Sequence, residues 1–271
     1  MFNTQNNKQH KMKLYGGNKM LPIERRNAIK NLMSEKKSVT VTELSQFFNV
    51  TEETIRRDLN ILEKEGVLIR TYGGAFIQEG TLNQIDYSLR EGNHVESKKN
   101  IAAKCINFVQ NGDSVFLDSS TTAAYIARAL SKMKITVLTD SLKIMTMLSN
   151  YDNIKLIGTG GELSQRTMSF IGPGAVQSIN QYFVDVAFIS CRSISLENHI
   201  TDSNEYLAQV RQHIIERSNK TFVVADYSKF GRTSFYHICH FSKIHAIVTD
   251  KPLDQDWHTT LNKYNVQLYD N

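Results

Sequence analysis

The stretch Thr51-Glu52-Glu53-Thr54-Ile55-Arg56-Arg57-Asp58-Leu59-Asn60-Ile61-Leu62 decides how the first part of this chain is read. Ile55, Leu59 and Leu62 recur at the spacing of an amphipathic helix, and Thr51 offers a short hydroxyl to the first free backbone N–H groups. Gly66 is the expected stop. With Ile55 at zero and about 100° per residue, Arg57 falls near ~200°, Glu53 near ~160° and Asn60 near ~140°, opposite the apolar stripe. An ordinary solvated face and a DNA-contacting face both fit that pattern, because Glu52, Glu53 and Asp58 offset the two arginines.

The flanking segments favour the second reading. Upstream, Pro22 opens a helix marked by Ile23, Ile29, Leu32 and Met33; residues 38–41 are β-prone; and residues 42–49 read as a short helix capped by Thr42, with Leu44, Phe47 and Phe48 for burial. Downstream, residues 67–77 read as a hairpin turning at Tyr72-Gly73-Gly74, with Arg70 at its edge. Two helices, an outward-facing third and a hairpin make a winged helix-turn-helix over residues 20–77. In such a fold the third helix enters the major groove, where Arg57 suits a base edge, Arg56 a phosphate, and Asp58 serves to orient an arginine.

Residues 78–97 are polar and read as a linker with a connecting helix. Beyond Lys98 the texture changes to strand-like runs at 114–118, 135–139, 154–158, 184–190, 221–225 and 244–249, spaced by helical segments. The expected fold of residues 98–271 is therefore α/β, a mostly parallel sheet covered by helices. Asp118-Ser119-Ser120-Thr121-Thr122 joins a strand to a helix, a layout in which free N–H groups and hydroxyls hold a phosphate or simply cap the helix.

Overall charge says less than its location. The net charge is +5, but residues 1–19 carry four lysines and no acid, while residues 20–80 balance nine basic against nine acidic groups. The excess thus belongs mainly to the start of the chain, and DNA binding has to be argued from placed cations. Residues 1–19 have no hydrophobic period and are expected to be a disordered tail or an added extension, with Met20 a plausible natural start. No apolar run reaches membrane-spanning length and no secretory leader is evident, so a cytoplasmic location and no membrane partner are expected. Cys105, Cys191 and Cys239 suggest neither a disulfide framework nor a zinc site, and the histidines near 237–245 match no usual zinc spacing. No metal or cofactor is expected.

These motifs together resemble the DeoR/GlpR family of transcriptional regulators. The resemblance runs through Glu24-Arg25-Arg26, Val41-Thr-Glu-Leu-Ser-Gln-Phe-Phe-Asn-Val50, Thr51-x-x-Thr-Ile-Arg-Arg-Asp-Leu59 and Arg70-Thr-Tyr-Gly-Gly-Ala75. It continues in Lys98-x-x-Ile-Ala102, Asp118 to Thr122, Thr139-Asp-Ser141, Gly160-Gly-Glu162 and Ala225-Asp-x-Ser-Lys-Phe-Gly231. The family implies a winged helix-turn-helix followed by a sensor domain similar in fold to ribose-5-phosphate isomerases, and no enzymatic activity. It implies DNA contacts at Thr51, Thr54, Arg56, Arg57, Arg70, Tyr72, Gly73 and Gly74, to which the helical wheel adds Asn60. It also implies a phosphorylated-sugar cleft at Asp118, Ser119, Ser120, Thr121, Thr122, Asp140, Ser141, Gly160, Gly161, Arg211, Asp226 and Lys229. Lys229 would meet a phosphate or pair with Asp226.

Four positions depart from the family pattern: Ser120, Ser190 and Ser193 replace glycines, and Arg211 replaces a lysine. A side chain at 120 narrows the backbone's approach to an anion, and a guanidinium offers a planar fork where a lysine offers a point charge. The expected function is a sequence-specific repressor of a carbohydrate-metabolism operon, binding double-stranded operator DNA as a dimer or tetramer. Two alternatives remain. One is a regulator whose α/β domain only oligomerises; the other is an isomerase-like enzyme with Asp118 or Asp226 as base and Lys229 as electrophile.

Overall fold

A computed structural model describes residues 20–36, 38–64, 68–76 and 87–271. The tail, Gly66, and residues 78–86 of the connection lie outside the described residues. The chain divides between residues 82 and 83 into two compact units.

In the first unit the order is α1 (Pro22–Lys36), β1 (Ser38–Thr40), α2 (Val41–Phe48), α3 (Glu52–Lys64), β2 (Ile69–Thr71) and β3 (Gly74–Phe76). Ile29, Met33, Leu44, Ile55, Leu59, Leu62 and Leu68 form its core. Each such side chain adds about 1.5–3 kcal/mol relative to exposure. Ile23 and Phe47, read as core positions, are exposed instead. Ile23 lies at the helix entrance, and of the adjacent Phe47 and Phe48 only Phe48 packs on the core. The cap of α2 is Thr40, not Thr42. Thr40 stands three residues before Glu43, so its hydroxyl accepts from the Glu43 N–H while the Glu43 carboxylate accepts from the Thr40 N–H. Thr42 has Ser45 at that offset and cannot make the reciprocal bond.

β1 pairs antiparallel with β3, which pairs with β2, so the hairpin is part of a three-stranded sheet. A Cβ at Gly74 would lie 2.2 Å from the Val39 carbonyl oxygen. The glycine is required by that close approach.

The second unit starts with α4 (Tyr87–Gly92) and α5 (Val95–Cys105), so part of the stretch read as linker is helix belonging to this unit. There follow β4 (Ser114–Leu117), α6 (Thr121–Leu130), β5 (Ile135–Thr139), α7 (Leu142–Leu148), β6 (Ile154–Gly158), β7 (Glu162–Ser164), β8 (Ser169–Ile171), α8 (Gly172–Ile179) and β9 (Val184–Ile189). The chain continues through β10 (Ser193–Ser195), β11 (His199–Asp202), α9 (Glu205–Glu216), β12 (Ser218–Val224), β13 (Tyr236–Cys239), β14 (Ala246–Val248), α10 (Gln255–Lys263) and β15 (Gln267–Tyr269).

Seven strands form one parallel sheet in the order β15-β14-β12-β9-β4-β5-β6. Two apolar clusters pack on it, one through Ala187, Ile189, Val223 and Ile247, the other through Val186, Phe188, Phe222 and Val224. Alternate residues of the same strands thus feed opposite layers, as the two-residue period requires. β10, β11 and β13 make a small separate antiparallel sheet. From β4 the chain winds outward to β5 and β6, then returns to β9 on the other side of β4. The β4/β9 junction is the topological switch point, where ligands bind beyond the strands' carboxyl ends in open α/β sheets.

Candidate functional site

The winged-helix unit brings the sequence-predicted DNA residues onto two neighbouring features. On α3, Arg56 and Arg57 are exposed and Ile55, Asp58, Leu59 and Leu62 are buried. Thr51 accepts from the Thr54 N–H at 3.3 Å, and their hydroxyls meet at 2.9 Å. Arg56 pairs with Glu52 at 2.8 Å, whereas Arg57 has no hydrogen-bond or ion-pair partner among the described residues. Asp58 does orient an arginine, but that arginine is Arg25 of α1, with Nε 2.6 Å from the buried carboxylate. The wing is tied to α3: the Arg70 N–H donates to Glu63 at 2.9 Å and its guanidinium reaches Asn60 at 3.3 Å. Tyr72 is fully exposed at the turn and Gly73 is open, while Gly74 is buried against β1. Gly74 therefore fixes the wing and offers no contact surface itself.

At the carboxyl end of β4, Asp118 is buried and its carboxylate accepts three hydrogen bonds. Oδ1 takes the Ser120 N–H at 3.0 Å; Oδ2 takes the Ser190 N–H at 2.8 Å and Arg211 Nε at 2.8 Å. Arg211 Nη1 donates to Asp202 at 2.7 Å. A planar fork suits this double task, and the two carboxylates hold its charge more firmly than in water. The Ser190 bond closes the switch point between β4 and β9.

On the other side of β4, Ser119 donates to Asp140 Oδ2 at 2.9 Å. Burial and the Asp118 charge push Asp140 up to about 7. Its Oδ1, the Tyr87 hydroxyl and the His199 Nδ1 are the buried side-chain atoms without a hydrogen-bond partner among the described residues.

Two expected hydroxyl ligands also cap helices. Ser120 caps α6 by accepting from the Ala123 N–H at 3.0 Å, and Ser141 caps α7 by accepting from the Ile144 N–H at 3.2 Å. Thr121 and Thr122 are buried in the first turn of α6. Gly160 and Gly161 are exposed and follow the edge strand β6, away from the switch point. Gly161 is constrained, with φ +104° and a would-be Cβ 2.7 Å from the Ile171 carbonyl oxygen. Ser193 shares a hydroxyl contact with Ser234 at 2.8 Å.

A second group gathers at the end of β12. Asp226 is buried and held below the usual carboxylate range by Lys229 and by its bond to Ser228. Lys229 has no carboxylate within ion-pair distance among the described residues, so the expected close pair with Asp226 is not formed. Burial and the charges of Arg192 and Arg90 depress the Lys229 ammonium. Lys98 is buried and pushed down to about 8, chiefly by desolvation.

Sequence reasoning missed Tyr87, Arg90 and Asp202. Asp202 has a local signal, as it ends β11 and accepts from the Ser203 and Asn204 N–H groups at 2.7 and 3.0 Å.

A winged helix on the same chain as an α/β unit with a charged rim over its switch point defines a DNA-binding regulator. Residues 25–81 match the DeoR-like helix-turn-helix domain and residues 93–251 the DeoR C terminal sensor domain. The chain is 43% identical over 235 residues to the HTH-type transcriptional regulator YulB of Bacillus subtilis, covering 87% of this chain and 91% of that protein. It is 29% identical over 250 residues to the glycerol-3-phosphate regulon repressor of Escherichia coli, covering 92% and 99%. A solved D-ribose-5-phosphate isomerase in complex with phospho-erythronic acid matches 50% of this chain and 54% of its own, at 16% identity and TM-score 0.38. The chain belongs to the DeoR family of transcriptional regulators.

Proposed function

We propose that this chain is a sequence-specific repressor of a carbohydrate-metabolism operon, acting in the cytoplasm, and that a phosphorylated sugar bound at the strand-end rim sets its affinity for operator DNA. The observation that carries the reading is the excess of cations at that rim. Arg211 is matched by Asp118 and Asp202, while Lys229, whose strongest charged neighbour is Asp226, makes no ion pair within hydrogen-bonding reach among the described residues and lies in the field of two further arginines. Like charges held together away from bulk water are stabilised by a bound dianion, and the first turn of α6 adds the positive end of a helix. Asp140 and Asp226 are then placed for sugar hydroxyls.

DNA contact falls to Arg57, exposed and unpaired among the described residues, with Arg56, Thr51, Thr54, Arg70, Asn60 and the Tyr72-Gly73 turn. One winged helix covers too little DNA for typical operator affinity, so a homo-oligomer on paired half-sites is part of the proposal. The enzyme alternative is weakened by Asp118. Its carboxylate already accepts three hydrogen bonds, one from a guanidinium, and is poorly placed to take a proton from a substrate.

The test is a mobility-shift assay with genomic fragments from beside the coding sequence, joined to a thermal-shift panel of pentose and hexose phosphates. Salt-sensitive binding that discriminates against random DNA, and a raised melting temperature with at least one sugar phosphate, are expected. Equal binding to random DNA, or no thermal response to any sugar phosphate, contradicts the corresponding half.

A further inference from the structure

The short helix α4 holds two polar groups that have no hydrogen-bond or ion-pair partner among the described residues. Tyr87 is 2% exposed, yet its hydroxyl has no hydrogen-bond partner among the described residues. A buried hydroxyl left unpaired is costly, so such a group calls for a partner. One helical turn later, the Arg90 guanidinium lies 5.8 Å from the Tyr87 ring centroid and has no carboxylate within ion-pair distance among the described residues. The acid nearest in effect, Asp202, is already held by Arg211 at 2.7 Å.

Both groups lie within electrostatic reach of the rim. Tyr87 feels the charge of Asp118, and Arg90 feels those of Arg211, Asp202 and Arg192. Burial and the two neighbouring arginines hold the Arg90 guanidinium below its ordinary value, while burial raises the Tyr87 phenol and keeps its proton available to donate.

The helix itself is firmly placed. Lys98 Nζ donates to the carbonyls of Arg90 and Asn93, closing the end of α4, and the Tyr87 N–H donates to the Arg166 carbonyl at 3.1 Å. Lys98 thereby sets the backbone of Arg90 and leaves its guanidinium to meet something else.

We propose that Tyr87 and Arg90 are direct ligands of the phosphorylated effector, the guanidinium taking the phosphate and the phenol donating to one of its oxygens, so that α4 becomes a wall of the occupied site. This rests on the sugar-phosphate reading above. A guanidinium fork matches a phosphate bidentately, and an orphan phenol one turn away supplies a third donor. α4 is the first described element of the second unit, so an effector held by Tyr87 and Arg90 adds ligand contacts to the bonds that already place it.

Titration calorimetry on the full chain decides it, using the sugar phosphate that gives the largest thermal shift, its unphosphorylated sugar, and inorganic phosphate. Tyr87→Phe removes only an unpaired hydroxyl and folds as the parent does; it is expected to bind the sugar phosphate several-fold more weakly. Arg90→Gln is expected to lose about tenfold or more for the sugar phosphate and for inorganic phosphate, with partial recovery in Arg90→Lys. Hydrogen exchange at residues 87–92 should slow when the sugar phosphate is added. Parental affinity in both Tyr87→Phe and Arg90→Gln overturns this inference and leaves the effector reading intact. No binding of any sugar phosphate by the parent chain overturns both.

Discussion

Each unit buries an aspartate against an arginine, Asp58 with Arg25 at 2.6 Å in the winged helix and Asp118 with Arg211 at 2.8 Å in the α/β unit. In the first, the pair ties α3 to α1, and the residues proposed for DNA lie on the opposite, exposed face. Support and function are separated. In the second, the pair lies at the switch point itself, and the same carboxylate that closes β4 onto β9 lines the proposed effector site. A DNA-reading surface has to protrude into a groove, so its scaffold can be ordinary core. A cleft for a small anion has to withhold charge from water, and its scaffold and ligands become the same residues.

The sharpest way to break that comparison is Arg211→Met. It leaves Asp118 and Asp202 buried without their cation and should destabilise the second unit by about 3–5 kcal/mol in denaturant unfolding. A loss under ~1 kcal/mol would mean that the pair is not the keystone of the rim.

Next in size is the response to Asp140→Asn. Asp140 titrates at about 7 in the folded chain against 3.8 as a free side chain. Between those values the folded protein keeps a proton that the unfolded chain has lost, so stability falls as pH rises through the window, and the penalty is complete above it. Asparagine removes that slope and should raise stability at pH ~8 by about 2 kcal/mol, with little effect at pH ~4. A parent chain with the same stability profile as the variant would refute the buried-acid assignment.

Arg57→Ala is the smallest of the three. Because the side chain is exposed and unpaired among the described residues, folding should change by less than ~0.5 kcal/mol while affinity for a preferred DNA fragment drops about tenfold. A variant that keeps full affinity would move the recognition contact to Arg56 or the wing.

The two units also differed in how far their sequences could be read. Ile55, Leu59 and Leu62 set the buried stripe of α3 by local periodicity, and Arg57 emerged on the far side as the wheel required. The strand-end aspartates were legible for the same reason, since Asp118 and Asp140 follow apolar runs that become β4 and β5. The rest of the rim is built by tertiary contacts. Arg211 reaches Asp118 across 93 positions, and Tyr87 and Arg90 fall in a polar stretch whose pattern suggested only a connection. Thr40 rather than Thr42 caps α2 because only Thr40 has a glutamate, Glu43, at the offset that completes the reciprocal bond. The burial of Gly74 is not legible in the sequence, because a close approach between β3 and β1 leaves no trace in spacing.

On the proposed function, DNA binding by the first unit is linked to phosphorylated-sugar binding by the second. Fluorescence anisotropy of a labelled preferred DNA fragment, titrated with the full chain with and without the best-binding sugar phosphate at saturation, tests it directly. A change in DNA affinity of about fivefold or more with the sugar phosphate, and none with the unphosphorylated sugar at the same concentration, is the predicted result. Identical DNA affinity with and without saturating sugar phosphate would contradict it.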